Sequence, residues 1–385
     1  MHETHYFRRS HHACTHTFIK KMNKNTTKKI LLFFSAVSIG IIFLESVIHL
    51  LIPITYNDNT YNPDFHHTFI PNMKRTKYYP TYTSVLKTNS KGFRGPEWDY
   101  EKQPNTTRIL VLGDSVTANV AAPDQAMYTS ILQKKLNENS TVHWEVINRG
   151  IEGWGTDNEY LYLAKEGYKY QPDIIILEFT VGNDFLDVFL KNISTLQNNT
   201  LVFQEQFDPL PLITHTKLFL NQYSGLYNVI ADFYHEYLKD QRFEPQQFMT
   251  EGYTPAFYES VSKTTAIITL MKEFAHTHNS SLFVIIYSDP RQVSKEQYHF
   301  WNNLHKNYLP QDQLMKPNEL LRTYLEQENI PSLETTSFIN KLEDYPAPID
   351  GHLSISGSKK LGEALAKTIL STNKSFTKFD DPLLK

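Results

Sequence analysis

The chain is nearly devoid of cysteine: of 385 residues only Cys14 is one, and it precedes the long apolar run near the start. Everything downstream therefore lacks an internal disulfide and a thiolate metal site. A charge excess is missing too. Basic and acidic residues number 38 and 41, a net charge of -3, so no overall field recruits nucleic acid or repels a membrane surface. Neither Gly-x-Gly-x-x-Gly nor Gly-Lys-Ser/Thr occurs, which removes the phosphate cradle and with it the expectation of a nucleotide partner. Glu273 and His276 have carboxylate-metal spacing. His276 and His278 read instead as the end of a helix, where imidazolium suits the dipole. His2, His5, His11, His12 and His16 are irregularly spaced and read as a solvated tail rather than a metal site.

What the chain does have is an apolar run from Ile30 to Ile54, longer than the roughly 20 residues a bilayer-crossing helix needs. Glu45 and His49 interrupt it four residues apart, on one helical face, where they can pair or sit at headgroup level. Lys20, Lys21, Lys24, Lys28 and Lys29 precede the run and the first basic residue after it is Lys74. The positive-inside rule then leaves the N-terminus cytoplasmic and everything beyond about residue 54 extracytoplasmic, periplasmic or at the cell surface. A cleaved signal peptide and a buried core helix are the rival readings. The first is disfavoured because ESVIHLLIPITYND, after Leu44, offers no small-x-small cleavage site. The expectation is an uncleaved single-pass anchor at 30–54 behind a basic tail at 1–29.

From 55 to 107 the sequence is polar, aromatic and turn-rich with no helical period, and reads as a linker and lead-in. Apolar runs then recur at Arg108 to Leu112, Val142 to Asn148, Asp173 to Thr180 and Leu282 to Tyr287, with a weaker one around Ile330 to Glu334, and helical stretches lie between them. Such alternation predicts an α/β domain over 108–372: a parallel sheet of about five strands covered on both faces, with chemistry beyond the carboxyl ends of the strands. Residues 188–256 break the alternation as an aromatic-rich helical insertion, read either as a packing subdomain or as a cap over the site. A tail follows at 373–385.

Four short segments carry candidate chemistry. Ser115, in VLGDSVTAN, follows a predicted strand and opens a turn into a helix, which exposes a hydroxyl beside backbone N–H donors; a tight turn with an N-cap serine is the plain alternative. Gly153, in the loop Asn148 to Thr156, allows close approach of an N–H to a reacting carbonyl, although a flexible loop explains it nearly as well. Asn183, in Gly182-Asn183-Asp184 after DIIILEFT, can aim an amide at the same oxyanion. His352, two residues after Asp350 and before a predicted helix, can take a serine proton while the carboxylate fixes its tautomer. Asp184 and Asp187 could face a cation or a sugar, but Asp184 reads better as fixing the Asn183 loop.

In this order the segments resemble the four blocks of the SGNH (GDSL-type) hydrolase superfamily, over roughly 108 to 370 without the insertion. The resemblance implies a three-layer α/β/α, flavodoxin-like fold and acyl transfer through an ester of Ser115. It implies His352 as base, Asp350 as its partner, an oxyanion hole from the Ser115 N–H, the Gly153 N–H and the Asn183 side chain, and no metal or organic cofactor. With the apolar anchor and the lead-in TNSKGFRGPE, the chain is similar to a membrane-anchored, envelope-facing branch. The spacing departs from the commoner Asp-x-x-His, which leaves Glu343 and Asp344 as rival partners for the imidazole. The implied substrate is an O-acyl ester, probing first toward acetyl on an envelope glycan. O-acetyl transfer by the same site, a lipid ester substrate and a decayed glycan-binding module follow in that order.

Overall fold

The computed structural model describes residues 24–376 apart from 53, 55, 79–82, 192, 198–199, 205–206, 208–210, 235–252, 306–308 and 347–349. The histidine-bearing start, Cys14, part of the insertion and the residues from 377 onward lie outside the described residues. The apolar run forms one helix, α1 (Lys24–Leu51), starting six residues earlier than the run itself. Most of its apolar side chains stay exposed, Leu32 at 70% and Phe43 at 69% among them, while Ile48 is buried. By length and composition it is apolar enough to be a membrane span or a signal sequence.

The stretch read as a linker is folded. Hairpin β1 (Asn59–Asn62) with β2 (His66–Phe69) and hairpin β3 (Lys74–Tyr78) with β4 (Thr83–Lys87) occupy it, and Phe69, Leu86 and Phe93 join the main core. The sequence concealed this because each strand is four or five residues long and none buries more than two side chains. In β4 just Ser84 and Leu86 turn inward, too few to make a period of two stand out.

The central sheet contains β5 (Thr106–Gly113), β6 (His143–Gly150), β7 (Ile174–Thr180), β10 (Ser281–Tyr287) and β11 (Ser332–Glu334), all parallel, in the order β11-β10-β7-β5-β6. This is the flavodoxin-like order. Alternation along each strand divides the core in two. Leu110, Leu112, Ile175 and Leu177 face one side, with residues of α4 (Thr156–Lys165), α8 (Pro255–Thr277) and α11 (Lys316–Gln327); Ile109, Val111, Ile174 and Ile176 face the other, with α3 (Tyr128–Glu138) and α12 (Ile355–Phe376). Each fully buried side chain of this kind contributes about 1.5–3 kcal/mol, and β7 is buried at all seven positions. Strands buried on both faces read as continuous apolar runs, which is why the sheet was legible.

The insertion begins within α5 (Asp184–Leu190) and continues with the hairpin β8 (Ser194–Gln197) with β9 (Thr200–Phe203), and α6 (Leu212–Tyr223) followed by α7 (Gly225–Phe233). After β10 come α9 (Pro290–Val293) and α10 (Lys295–His305). In this topology the chain reverses direction across the sheet between β5 and β7. The crevice beyond their carboxyl ends is the place where such folds bind ligands.

Candidate active site

β5 ends at Gly113 and the chain turns at once into α2 (Ser115–Ala118), whose N-cap Asp114 accepts from the Val116 N–H at 2.7 Å. The turn is this tight because two glycines make room for it. A Cβ on Gly113 would lie 2.8 Å from Glu178 Oε2, and one on Gly150, beside it in register on β6, would lie 2.2 Å from the Ala118 nitrogen. Asn148 Nδ2 donates to the Thr117 carbonyl at 2.7 Å and fixes the other side of the turn. Ser115 is left at the rim, half-buried.

Ser115, Asn183, Gly182, Tyr287, Asp289, Arg291 and His352 line one cleft of about 250 Å³. His352 Nδ1 bonds Asp350 Oδ1 at 2.6 Å, and the His352 backbone N–H donates to the same oxygen at 2.9 Å. Asp350 therefore holds the ring by two bonds despite the short spacing. One rival is engaged elsewhere: Asp344 is buried and pairs with Lys360 at 2.6 Å. Tyr287 OH donates to the Gly351 carbonyl at 2.8 Å, tying this loop to the end of β10. Burial works against a charged His352, but the Asp350 hydrogen bond and charge outweigh it and raise the imidazole above its ordinary value. Burial likewise pushes Asp350 up, yet its bonds to His352 hold it below the usual carboxylate range.

A base must be neutral to accept a proton. Turnover should therefore rise through a midpoint above the ordinary imidazole value of about 6.5. In Asp350→Asn that midpoint should move to lower pH while kcat/KM falls by about 10²- to 10⁴-fold. A pH–rate profile of both proteins checks the pair of effects, and an unmoved midpoint would exclude Asp350 as the imidazole's partner.

Asn183 directs its amide inward: Nδ2 donates to Asp114 Oδ2 at 3.0 Å and to Asp187 Oδ2 at 2.9 Å. Two carboxyl acceptors fix which end of the amide is NH₂. Asp184 accepts from the Thr180 N–H at 2.7 Å, the loop-fixing role expected of it. Gly153 is not among the residues lining the cleft. Its φ of +77° requires glycine, and its carbonyl accepts from Lys191 Nζ. Lys191 also lines a second cavity of about 560 Å³, with Asn57, Asn59, Tyr61, His66 and Phe207 among others. The neighbouring Glu152 carbonyl bonds His67 Nε2 at 3.0 Å. Burial depresses His67 to about 4, so it is neutral, donating through Nε2 and accepting from His66 Nδ1 at 2.7 Å. Of the described residues of the insertion, Lys191, Gln204, Phe207 and Leu218 line this second cavity and none lines the first.

Sequence reasoning missed two features. Arg94, in the lead-in, is fully buried, and its guanidinium binds the Ala118, Asn119 and Ala122 carbonyls and Asp124, clamping the segment that follows Ser115. In the sequence, GFRGPE is marked only by a resemblance. Behind the site, Asp114, Asp157, Glu159, Glu178 and Asp184 are all buried. The apolar run of β7 hid Glu178, and Asp157 and Glu159 read as the polar start of a helix. Thr180 Oγ1 has a single proton yet lies 2.8 Å from Glu178 Oε1 and 3.2 Å from Asp114 Oδ1. A proton on Glu178 satisfies the group, and burial together with the Asp114 charge raises Glu178 well above its ordinary range. No group of metal-ligating side chains occurs among the described residues.

A carboxyl raised on folding keeps its proton where the unfolded chain has lost it, so stability falls as pH climbs above the ordinary glutamate value of about 4.3. Glu178→Gln, which keeps a donor toward Asp114, should gain stability over the native protein at pH above neutrality and lose that advantage near pH 4. Urea unfolding at the two pH values reads this directly; a gain independent of pH would mean that Glu178 is ionised in the fold.

No family model matches the chain, and no curated protein does. Solved structures do. One, from Desulfitobacterium hafniense and described as a lipolytic protein of the G-D-S-L family, is 13% identical with a TM-score of 0.37, the match covering 68% of this chain and 98% of that one. An aryl esterase of M. smegmatis is 13% identical, with a TM-score of 0.39 and coverage of 69% and 99%. Est24, a carbohydrate acetylesterase from Sinorhizobium meliloti, is 13% identical, with a TM-score of 0.38 and the same coverage. All three are named for ester or lipid hydrolysis. Likeness of this degree does not by itself assign an activity, which has to rest on the cleft.

Proposed function

We propose that the chain is a serine esterase of the SGNH type, held at a membrane by α1, that removes short acyl groups, acetyl first, from an envelope or extracellular glycan. One observation carries the reading: Ser115 and an Asp350-bound His352 line a single small cleft at the switch point of the sheet. Ser115 Oγ attacks the ester carbonyl as His352 takes its proton, Asp350 steadies the imidazolium, and the alcohol leaves with the proton from His352. Water then attacks the seryl ester by the same relay and releases the acid. The Ser115 N–H and the Asn183 amide supply the oxyanion donors, and Gly153 joins them if its loop moves on substrate binding. A cleft of about 250 Å³ favours acetyl over a long lipid chain, because drug-sized ligands take pockets from about 300 Å³ upward.

The second cavity favours a second reading, acyl transfer to a sugar hydroxyl. It adjoins the Glu152–Gly153 carbonyls and combines carboxamides, neutral imidazoles and aromatic rings, a lining suited to a saccharide. The test is hydrolysis of p-nitrophenyl esters of increasing chain length by the full chain in detergent, followed by product analysis with an added oligosaccharide. Acetate as the best acyl group and free acid as the product support the esterase, acylated oligosaccharide supports transfer, and equal rates on long chains would remove the short-acyl reading.

A further inference from the structure

We propose that α6 and α7 form a membrane-interface foot: an apolar helix pair that lies in the outer headgroup region beside α1 and fixes the catalytic domain against the bilayer. This rests on α1 being the membrane anchor. Between 212 and 234 the only Asp, Glu, Lys or Arg residues are Lys217 and Asp232. The pair nevertheless exposes Leu212 at 83%, Ile213 at 66%, Phe219 at 60%, Tyr223 at 51%, Ile230 at 58% and Phe233 at 56%. Leu212, Phe219 and Tyr223 are spaced by seven and four residues, and Ile230 and Phe233 by three, so each helix presents a stripe. A stripe of Phe, Leu and other apolar side chains is the face that an interfacial helix turns toward the acyl chains.

Where the pair is docked determines what it meets. Glu45 of α1 accepts from Ser224 Oγ at 3.1 Å, from the Gly225 N–H at 2.5 Å and from the Leu226 N–H at 3.1 Å, and so caps the start of α7. Gly225 sits directly on the anchor: a Cβ there would lie 2.7 Å from Ile54 Cδ1 and 2.9 Å from Ile48 Cγ2. A hydrocarbon core takes roughly 20 helical residues. Counted from Ile30 these end at His49, one helical turn or about 6 Å beyond Glu45. The α6–α7 junction is thereby held at the boundary between acyl chains and headgroups, and its exposed aromatic and aliphatic side chains face lipid. The charged interruption of the apolar run gains a purpose: Glu45 is the dock, and His49 pairs with it at 3.0 Å.

The test uses the full chain in proteoliposomes, with Cys14→Ala as background and an environment-sensitive fluorophore on Phe219→Cys, Ile230→Cys, Val37→Cys in the anchor, or Lys367→Cys on an exposed face of α12. Brominated phosphatidylcholine is the quencher. The expected result is blue-shifted emission at 219 and 230, quenched more by bromines near the headgroup than by deep ones. Position 37 should be quenched by deep bromines and position 367 not at all. Quenching at 37 without quenching at 219 and 230 overturns the foot and leaves the anchor standing. In that case disulfide-linked dimers of the Phe219→Cys protein would assign the patch to a second copy of the chain. No quenching at 37 overturns the anchor and the foot with it, and equal quenching at 367 overturns the foot by placing the whole domain on the bilayer.

Discussion

Ser115→Ala should abolish ester turnover, with kcat falling by about 10⁴- to 10⁶-fold, the range seen when a serine nucleophile is removed from a serine–histidine pair. The same change should leave the fold intact. Ser115 is half-buried, and the cap of α2 belongs to Asp114, so unfolding should stay within about 0.5 kcal/mol of the native protein, as for surface positions without such a role. The contrast between the two readouts is what makes the variant informative. His352→Ala should match it in rate, and the double variant should lose little more, because the two residues act as a unit. Initial rates on p-nitrophenyl acetate, with urea unfolding on the same samples, check both halves; a Ser115→Ala protein retaining a tenth of the activity would place the nucleophile elsewhere.

Arg94→Ala should be the most destabilising single change, costing about 3–5 kcal/mol. The guanidinium has no access to solvent and binds the carbonyls of Ala118 and Ala122, at 3.1 and 2.9 Å, and Asp124 Oδ1 at 2.5 Å. Removing it strands those acceptors and leaves a space that the packed core of Phe93 and Trp154 cannot close. Arg94→Lys should recover only part of the loss, since one ammonium cannot span acceptors distributed around a planar fork. Because the clamp holds the backbone just after Ser115, the variant should also lose activity at denaturant concentrations where it is still folded. Chemical unfolding monitored by tryptophan fluorescence alongside residual hydrolysis separates the two effects. A cost under about 1 kcal/mol, as for an exposed ion pair, would show that the burial of Arg94 is not maintained.

The sheet was legible because strands buried on both faces are written as unbroken apolar runs, Ile174 to Thr180 above all. Ser115, Asn183, Asp350 and His352 were legible because each sits one to four residues past such a strand or at the entry to the last helix. The rest lay in interactions far apart in sequence. Arg94 reaches residues about 25 positions on. Glu45 caps a helix 180 residues away, and without that partner it could only register as a fault in an apolar run. Gly153 had a sequence signal for its conformation, a glycine where φ is positive. The hairpins at 59–87 were concealed by their brevity.

The two bonds that hold Asn183 bear on selectivity. In the resting protein its amide hydrogens are already committed to Asp114 and Asp187. A neutral ester carbonyl is a weaker acceptor than a carboxylate, so it cannot draw the amide away. An alkoxide can, as negative charge builds on the oxygen during attack. A donor released only by that charge adds nothing to the hold on substrate and contributes solely to the barrier, so Asn183→Ala should depress kcat and leave KM nearly unchanged.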